Sequence, residues 1–131
     1  MLTPDLTGDI LSALAHEATV SDMEQMPQMV WLSDNEGRCV YLNKALRAFW
    51  GLEASELPSF DWGSTLHVDD RDMLFAAVGR ALEERAPFTV KARYRRADGA
   101  TRVLETNAVP RFAQNGQFLG MAGINRDVTE G

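Results

Sequence analysis

Residues 88–111 read FTVKARYRRADGATRVLETNAVPR, and this stretch decides the fold. From Phe88 to Arg96 apolar and polar side chains alternate, which is typical of a strand with one buried face and one face in water. The pair Asp98-Gly99 indicates a tight hairpin turn, because glycine readily adopts the left-handed backbone such turns require. Thr101 to Arg111 then returns as a second strand, so the stretch predicts an antiparallel hairpin.

The residues on either side of this hairpin extend the pattern. Gln114-Asn115-Gly116 is a turn, and Phe118 to Val128 is predicted to be the last strand. Before the hairpin we expect a helix that is capped by Asp69, continues to about Arg85 and is ended by Pro87. Its apolar side chains recur at helical spacing and form a buried stripe of Leu74, Val78, Ala81 and Leu82.

The first half of the chain predicts a second hairpin followed by a helical region. Residues 29–42 form two short apolar runs around the turn residues Asp34-Asn35-Glu36-Gly37. Asn43 can cap a helix from Lys44 to Trp50, and Gly51 ends it. Residues 52–68 are irregular, with room for one or two single-turn helices. The order is therefore two strands, a helical middle and three strands.

Residues 1–26 form a separate acidic segment without Lys or Arg. Thr3-Pro4-Asp5 is typical of a helix start, and Ser21 with Glu24 predicts a capping box that opens a second short helix before Pro27. The apolar stripe of the first helix must be buried either on its own sheet or against another copy. We expect a homodimer through this stripe, which consists of Leu6, Ile10, Leu11 and Leu14.

Composition limits the class of protein. A chain of 131 residues with 45% apolar residues is long enough for one packed domain. The net charge of −6 argues against direct nucleic-acid binding, which needs clustered Lys and Arg. Cys39 is the only cysteine, so no intrachain disulfide can form. Without a secretory signal or an apolar run of ~20 residues, we expect a cytoplasmic protein that contacts no membrane.

Catalysis has little support in the sequence. The only pairing of histidine with carboxylates is His67 with Asp69 or Asp70, where Asp69 is already explained as a helix cap. Cys39 has apolar strand neighbours and is interpreted as a buried, inert thiol. No glycine-rich phosphate loop, paired-carboxylate motif or nucleophile elbow is present. We therefore expect no enzyme, no catalytic residue and no metal site.

Motifs spread from Met29 to Thr129 resemble the PAS family of sensory domains. The segments that carry the resemblance, in order, are Asp34-x-x-Gly37, Tyr41-x-Asn43, Phe49-Trp50-Gly51, Trp62-x-x-x-x-His67-x-Asp69-Asp70, Pro87-Phe88, Tyr94-Arg95-Arg96-x-Asp98-Gly99, Arg102 and Gly120-x-x-Gly123-x-x-x-Asp127-Val128-Thr129. The sequence departs from the family at Val68, where proline is common, and at Arg85-Ala86, where a glycine is common.

The resemblance implies an α+β fold in which helices pack on one face of a five-stranded antiparallel sheet and enclose a small cavity. Residues 27–131 would be the PAS domain, and residues 1–26 its N-terminal flanking segment. Such domains bind haem, flavin, small metabolites or nothing. They usually sit in sensor kinases, including those of two-component systems, in cyclases or in transcription regulators.

The cofactor is left unknown, although two types are disfavoured. Haem-binding relatives commonly use a histidine on the long helix, and residues 69–85 contain none. Met73 could ligate haem, but we interpret it as a core residue. Flavin photoadducts and linked chromophores need a cysteine in the helical middle, and residues 43–87 contain none. Non-covalent flavin remains open.

Strand phase, together with the resemblance, predicts which side chains line the cavity. Asn125 matches the place where flavin-binding relatives carry a glutamine, and an amide there could change its hydrogen bonds with the cavity content. Alternatively, Asn125 simply bonds a neighbouring strand or water. The indoles of Trp31 and Trp62 would leave little volume in the cavity, which favours a small ligand or none. The predicted lining residues are Trp31, Ser33, Trp62, Leu74, Tyr94, Leu104, Thr106, Met121 and Asn125.

Two functions follow from this reading of the sequence. In the first, the chain is a sensory domain that binds a small ligand and passes the signal to an output domain of the same protein. In the second, it is a ligand-free module for protein interaction or dimerisation.

Overall fold

The computed structural model describes Leu11, Leu14, residues 20–59 and residues 61–129. The helices are α1 (Val20–Gln25), α2 (Lys44–Trp50) and α3 (Arg71–Glu84), with 3₁₀ turns at Ala54–Ser59, Trp62–Thr65 and Val68–Asp70. The strands are β1 (Met29–Ser33), β2 (Cys39–Leu42), β3 (Phe88–Arg95), β4 (Thr101–Phe112) and β5 (Phe118–Asp127). The predicted helix start at Thr3 lies outside the described residues.

The five strands form one antiparallel sheet in the order β2-β1-β5-β4-β3. The predicted β3–β4 hairpin is confirmed, and Arg95 pairs with Thr101 on either side of the Asp98-Gly99 turn. The last strand, β5, lies in the centre and pairs with both β1 and β4. The α+β fold class expected from the sequence is therefore confirmed.

The sheet buries apolar side chains on both faces. Because successive residues of a strand point to opposite sides, Trp31 and Met121 lie on the inner face, whereas Val30 and Ala122 lie on the outer face. Helix α3 covers the inner face through Leu74 and Ala81. The outer-face cluster consists of Leu14, Met23, Val30, Leu32, Ala122 and Ile124, with Leu11 packed against it.

This arrangement bears on the stripe predicted to form a dimer. Leu14 is buried against the chain's own sheet and Leu11 packs beside it, which is the first of the two burial modes considered for the stripe. Leu6 and Ile10 lie outside the described residues. The predicted homodimer is not decided by these contacts.

Asn43 is fully buried and joins three elements. Its Oδ1 accepts hydrogen bonds from the backbone N–H of Val30 (2.9 Å) and of Leu46 (3.1 Å), so the predicted helix cap is confirmed. Its Nδ2 donates to the carbonyls of Met23 (2.9 Å) and Gln28 (2.8 Å). One amide thereby holds α1, β1 and α2 together.

Two capping predictions were wrong. Asp69 lies inside the 3₁₀ turn Val68–Asp70, which His67 caps, so it does not cap α3. Asp70 rather than Asp69 precedes α3, and it makes no side-chain cap hydrogen bond because its oxygens bind Arg93. Glu24 was expected to close a capping box with Ser21. Its carboxylate instead accepts hydrogen bonds from Tyr41 (2.8 Å) and Arg47 (2.9 and 2.6 Å).

Replacing Asn43 by alanine should destabilise the domain by at least about 3 kcal/mol, because several buried backbone groups lose their partner at once. Urea unfolding followed by tryptophan fluorescence measures the change. Asn35→Ala, at an exposed position of the β1–β2 turn, is the matched control and should cost less than about 0.5 kcal/mol. Equal effects of the two substitutions would contradict this role of Asn43.

Candidate functional site

An inner cavity of about 60 Å³ lies between the inner face of the sheet and α3. All but one of the residues predicted to line it do so: Trp31, Ser33, Trp62, Leu74, Tyr94, Thr106, Met121 and Asn125. Leu104 is the exception. It is fully buried and packs against Leu74 and Tyr94 without lining the space.

Six lining residues were not predicted: Gly37, Cys39, Leu42, Trp50, Val78 and Phe88. Some of these were detectable, because Val78 follows Leu74 on the same helix face and Phe88 shares a strand face with Tyr94. Gly37 and Cys39 could not be predicted as lining residues. They reach the cavity because the β1–β2 pairing shifts register between Leu32 and Ser33, and the alternation of the sequence does not reveal such a shift.

The polar part of the cavity is built around Asn125. Its Oδ1 accepts hydrogen bonds from Trp31 Nε1 (3.0 Å) and Thr106 Oγ1 (2.8 Å). The orientation of the amide is determined because an indole N–H can only donate. The carbonyl oxygen of Asn125 is thus occupied by side chains of β1 and β4, and this fixes the orientation of an amide that lines the cavity.

Ser33 has a structural role beside the same space. Its hydroxyl donates to the carbonyl of Asp34 (3.0 Å) and accepts from the backbone N–H of Met121 (3.0 Å). The hydroxyl therefore joins the end of β1 to β5 through the bond that it accepts, and its donor is used within the turn that follows β1. Ser33 contributes to the shape of the cavity, and Asn125 contributes an amide held in one orientation.

None of the described residues that line the cavity carries a charged side chain. Burial raises the pKa of the Cys39 thiol to about 11 and also raises the pKa of the Tyr94 hydroxyl. Both groups are therefore neutral near pH 7. The same desolvation would penalise any charge that a ligand placed inside.

A groove on the surface lies next to the inner cavity. Gly37, Cys39, Trp62 and Val78 line both spaces. The outer space, called here the β2–α3 groove, has a volume of about 600 Å³. It is further bordered by Asp34, Glu36, Arg38, Val40, Asp61, Phe75, Gly79 and Leu82.

The wall that contains Trp62 is attached to β3. Leu66 forms a bridge with Tyr94, and the N–H of His67 donates to the carbonyl of Arg93 (2.8 Å). Asp70 accepts from the backbone N–H of Arg93 (2.8 Å), from Nε (3.0 Å) and from a terminal guanidinium nitrogen (2.8 Å). Trp62 itself packs edge-on against Phe75 of α3, with ring centroids 5.4 Å apart.

Other candidate residues have different surroundings. His67 Nδ1 accepts the backbone N–H of Asp69 (3.1 Å), which closes the turn before α3. Met73 is 45% exposed, so its interpretation as a core residue was wrong. Within residues 20–59 and 61–129, together with Leu11 and Leu14, no three His, Cys, Asp or Glu residues are grouped to hold a metal ion. No helix in that part of the chain is long and apolar enough to cross a membrane.

The class of protein follows from this fold and from its cavity. A family model described as PAS fold matches residues 39–125, and the chain belongs to the PAS family. PAS domains are sensory modules and are generally not enzymes.

Comparison with individual proteins agrees with the family. The uncharacterized protein y4lL of Sinorhizobium fredii (strain NBRC 101917 / NGR234) is 30% identical over 107 residues, which cover 82% of this chain. The chain spans 13% of the length of that relative.

Solved structures share the fold at lower identity. The PAS domain of a Colwellia psychrerythraea protein is 24% identical with a TM-score of 0.71, and the match covers 92% of this chain and 98% of that one. A Rhodobacter sphaeroides LOV protein is 14% identical (TM-score 0.70; 82% and 63% covered). VqmA bound to DPO is 18% identical (TM-score 0.69; 85% and 56% covered). These likenesses concern the fold alone.

The Asp70–Arg93 contact should make stability depend on acid pH. Its hydrogen bonds from Arg93 lower the pKa of Asp70 from 3.8 to about 2. Because the Asp70 carboxyl has a lower pKa in the folded chain than in the unfolded chain, its contact with Arg93 stabilises the fold fully above pH ~4. This contribution is lost as the pH falls towards 2 and the carboxylate is protonated. Asp70→Asn should therefore lose roughly 1–2 kcal/mol at pH 7 and progressively less in acid.

Urea unfolding of both proteins between pH 7 and about pH 2.5 measures this difference. Asp72→Asn, at an exposed acid in the first turn of α3, is the control. A difference between Asp70→Asn and the unchanged chain that stays constant with pH would contradict the prediction.

Proposed function

We propose that this chain is the sensory part of a larger cytoplasmic signal-transduction protein of the bacterial type. It binds a small ligand in the inner cavity and relays its presence to an output domain of the same protein, which is a sensor kinase of a two-component system, a cyclase or a transcription regulator. The observation that supports this most is the Asn125 amide, which lines a largely apolar cavity and is held there by Trp31 and Thr106.

The chemistry of Asn125 supplies a way to couple ligand and protein. A ligand that accepts a hydrogen bond can use the amide N–H groups without disturbing the network. A ligand that donates needs the amide oxygen, and turning the amide breaks the bond to Trp31, since an indole cannot accept one. The two outcomes leave Trp31 of β1 and Thr106 of β4 with different partners, which is a local change that the sheet can transmit.

The relatives are compatible with this proposal. VqmA, which shares the fold, has been solved bound to DPO. We propose a ligand other than haem or a cysteine-linked flavin, because α3 carries no histidine and residues 43–87 carry no cysteine. A small volume of about 60 Å³ favours the second candidate function, a ligand-free interaction module.

Ligand binding is tested on the freshly purified chain. We expect native mass spectrometry to show a retained small molecule, and Asn125→Ala to reduce its occupancy about tenfold through loss of a buried hydrogen bond. Asn107→Ala is the matched control, since Asn107 lies on β4 and bonds Thr89 at the surface. A ligand-free mass, with no thermal shift across a panel of metabolites, would leave the interaction module as the function.

We further propose that the chain forms a homodimer to which the segment 1–26 contributes. Leu11 and Leu14 already pack on the chain's own sheet, so the contact between copies would use the remaining surface of that segment and of α1. Val20 of α1 is 56% exposed and is a suitable position to test.

Light scattering should give about twice the chain mass of 14.5 kDa. Val20→Glu should weaken the dimer by placing a charge in an apolar contact. Val68→Glu, at a 67% exposed position before α3, is the control and should leave the mass unchanged. A monomer at all concentrations would sink the proposal, and so would a dimer that only Val68→Glu disrupts.

A further inference from the structure

The size of the inner cavity limits what can fill it. Its volume of about 60 Å³ is well below the ~150 Å³ of an engineered protein cavity that binds benzene. A planar ring would therefore have to displace side chains. A narrow aliphatic head of a few carbons fits without such movement, and a longer ligand must continue outside the cavity.

The shared lining residues show where a longer ligand would continue. Gly37, Cys39, Trp62 and Val78 line both spaces, so a ligand that extended from the cavity into the β2–α3 groove would pass between these residues, at a place called here the opening. The groove has a volume of about 600 Å³, within the usual range of small-molecule sites. Val40 and Phe75 are about half exposed there and can contact a hydrocarbon chain.

The charges at the groove select the outer part of the ligand. Asp34, Glu36 and Asp61 border the groove, whereas Arg38 is the only cation among the lining residues that the structure describes. The Arg38 guanidinium is already paired with Asp34 (2.8 Å) and Glu36 (3.1 Å). The groove therefore keeps an excess of negative charge, on a chain whose net charge is −6, and it attracts cations and repels anions.

We propose that the ligand is an elongated cationic amphiphile, with an uncharged, mainly aliphatic head that carries one hydrogen-bond acceptor for the Asn125 amide in the inner cavity, and a positively charged tail in the β2–α3 groove. This rests on the proposed ligand-sensing function and adds the class of ligand and its path. The uncharged walls of the cavity accept the head, and the acidic border of the groove accepts the tail. Cys39 lies at the opening that joins them.

Three probes with the same six-carbon chain test the proposal on the full chain: n-hexylammonium, 1-hexanol and hexanoate. The readouts are the melting temperature and the rate at which N-ethylmaleimide, a neutral reagent, modifies Cys39. Because Cys39 is the only cysteine, its protection reports a molecule in the opening. We expect hexylammonium to protect Cys39 at about tenfold lower concentration than hexanol does, and hexanoate to need a still higher concentration. High salt should remove this preference because it screens the charges of the groove.

Variants locate the binding site. Val78→Phe should fill the opening and abolish protection by hexylammonium, whereas Ala76→Phe adds the same ring at an exposed position of α3 and should preserve it. Asp61→Asn keeps an oxygen for the N–H of Gly63 and removes one charge. It should reduce the preference for hexylammonium over hexanol about threefold. This variant also serves if Val78→Phe does not fold.

The outcomes separate this proposal from the proposed function. Equal protection by all three probes would mean that the cavity alone binds; it would overturn the cationic amphiphile and leave ligand sensing intact. Strongest binding of hexanoate, binding of hexylammonium without protection of Cys39, or no binding of any probe would also overturn it. The retained-ligand measurement on Asn125→Ala decides the proposed function independently.

Discussion

Asn43 has no exposed surface, and its amide binds backbone groups of α1, β1, α2 and the Gln28 segment. A buried amide without partners is costly, so these segments must meet at this side chain for the fold to be stable. Since Asn43 follows β2 directly, it also sets where α2 begins. Trp50, at the end of α2, is thereby brought to the wall of the inner cavity.

A second constraint comes from two glycines of β5. A side chain at Gly123 would overlap the ring of Trp31, and one at Gly120 would overlap the backbone of Ser33 and Asp34. Gly120 also has a φ of +126°, which side chains rarely adopt. The spacing Gly120-x-x-Gly123 therefore lets β1 and its indole lie close to β5. Trp31 can then reach Asn125, and the polar group of the cavity depends on this approach.

Much of the fold could be predicted because alternation and turn residues act locally. The β3–β4 hairpin and the helix from Lys44 to Trp50 were predicted nearly to the residue, since their signals lie within a few positions. Errors arose where a distant partner competes. Glu24 binds Arg47, which is 23 positions away along the chain, and no local rule weighs that contact against a capping box. The left-handed Arg85, with a φ of 52°, stands where relatives commonly have glycine.

The cavity was predictable to the extent that it follows strand faces. Once Tyr94 is placed inward, the antiparallel register carries Thr106 and Asn125 to the same side, since these two residues pair directly. Leu104 has the same phase but lies where α3 already fills the space, so phase alone does not decide exposure to a cavity. Gly37 and Cys39 depend on a shift in strand register.

The pairing of β4 with β5 also determines which contacts lie next to Asn125 and could respond to a ligand in the cavity. Asn125 and Asp127 lie two residues apart on β5, so their side chains share a face and are separated by about 7 Å. Asp127 accepts from Arg102 of β4 (2.7 Å), and Thr129 Oγ1 accepts from the N–H of Val103 (2.7 Å). Under the proposed function, a ligand that turned the Asn125 amide would alter the β4–β5 contact at Thr106. We infer that the Arg102–Asp127 ion pair, which joins the same two strands two residues further along β5, is the first contact that such a change would meet.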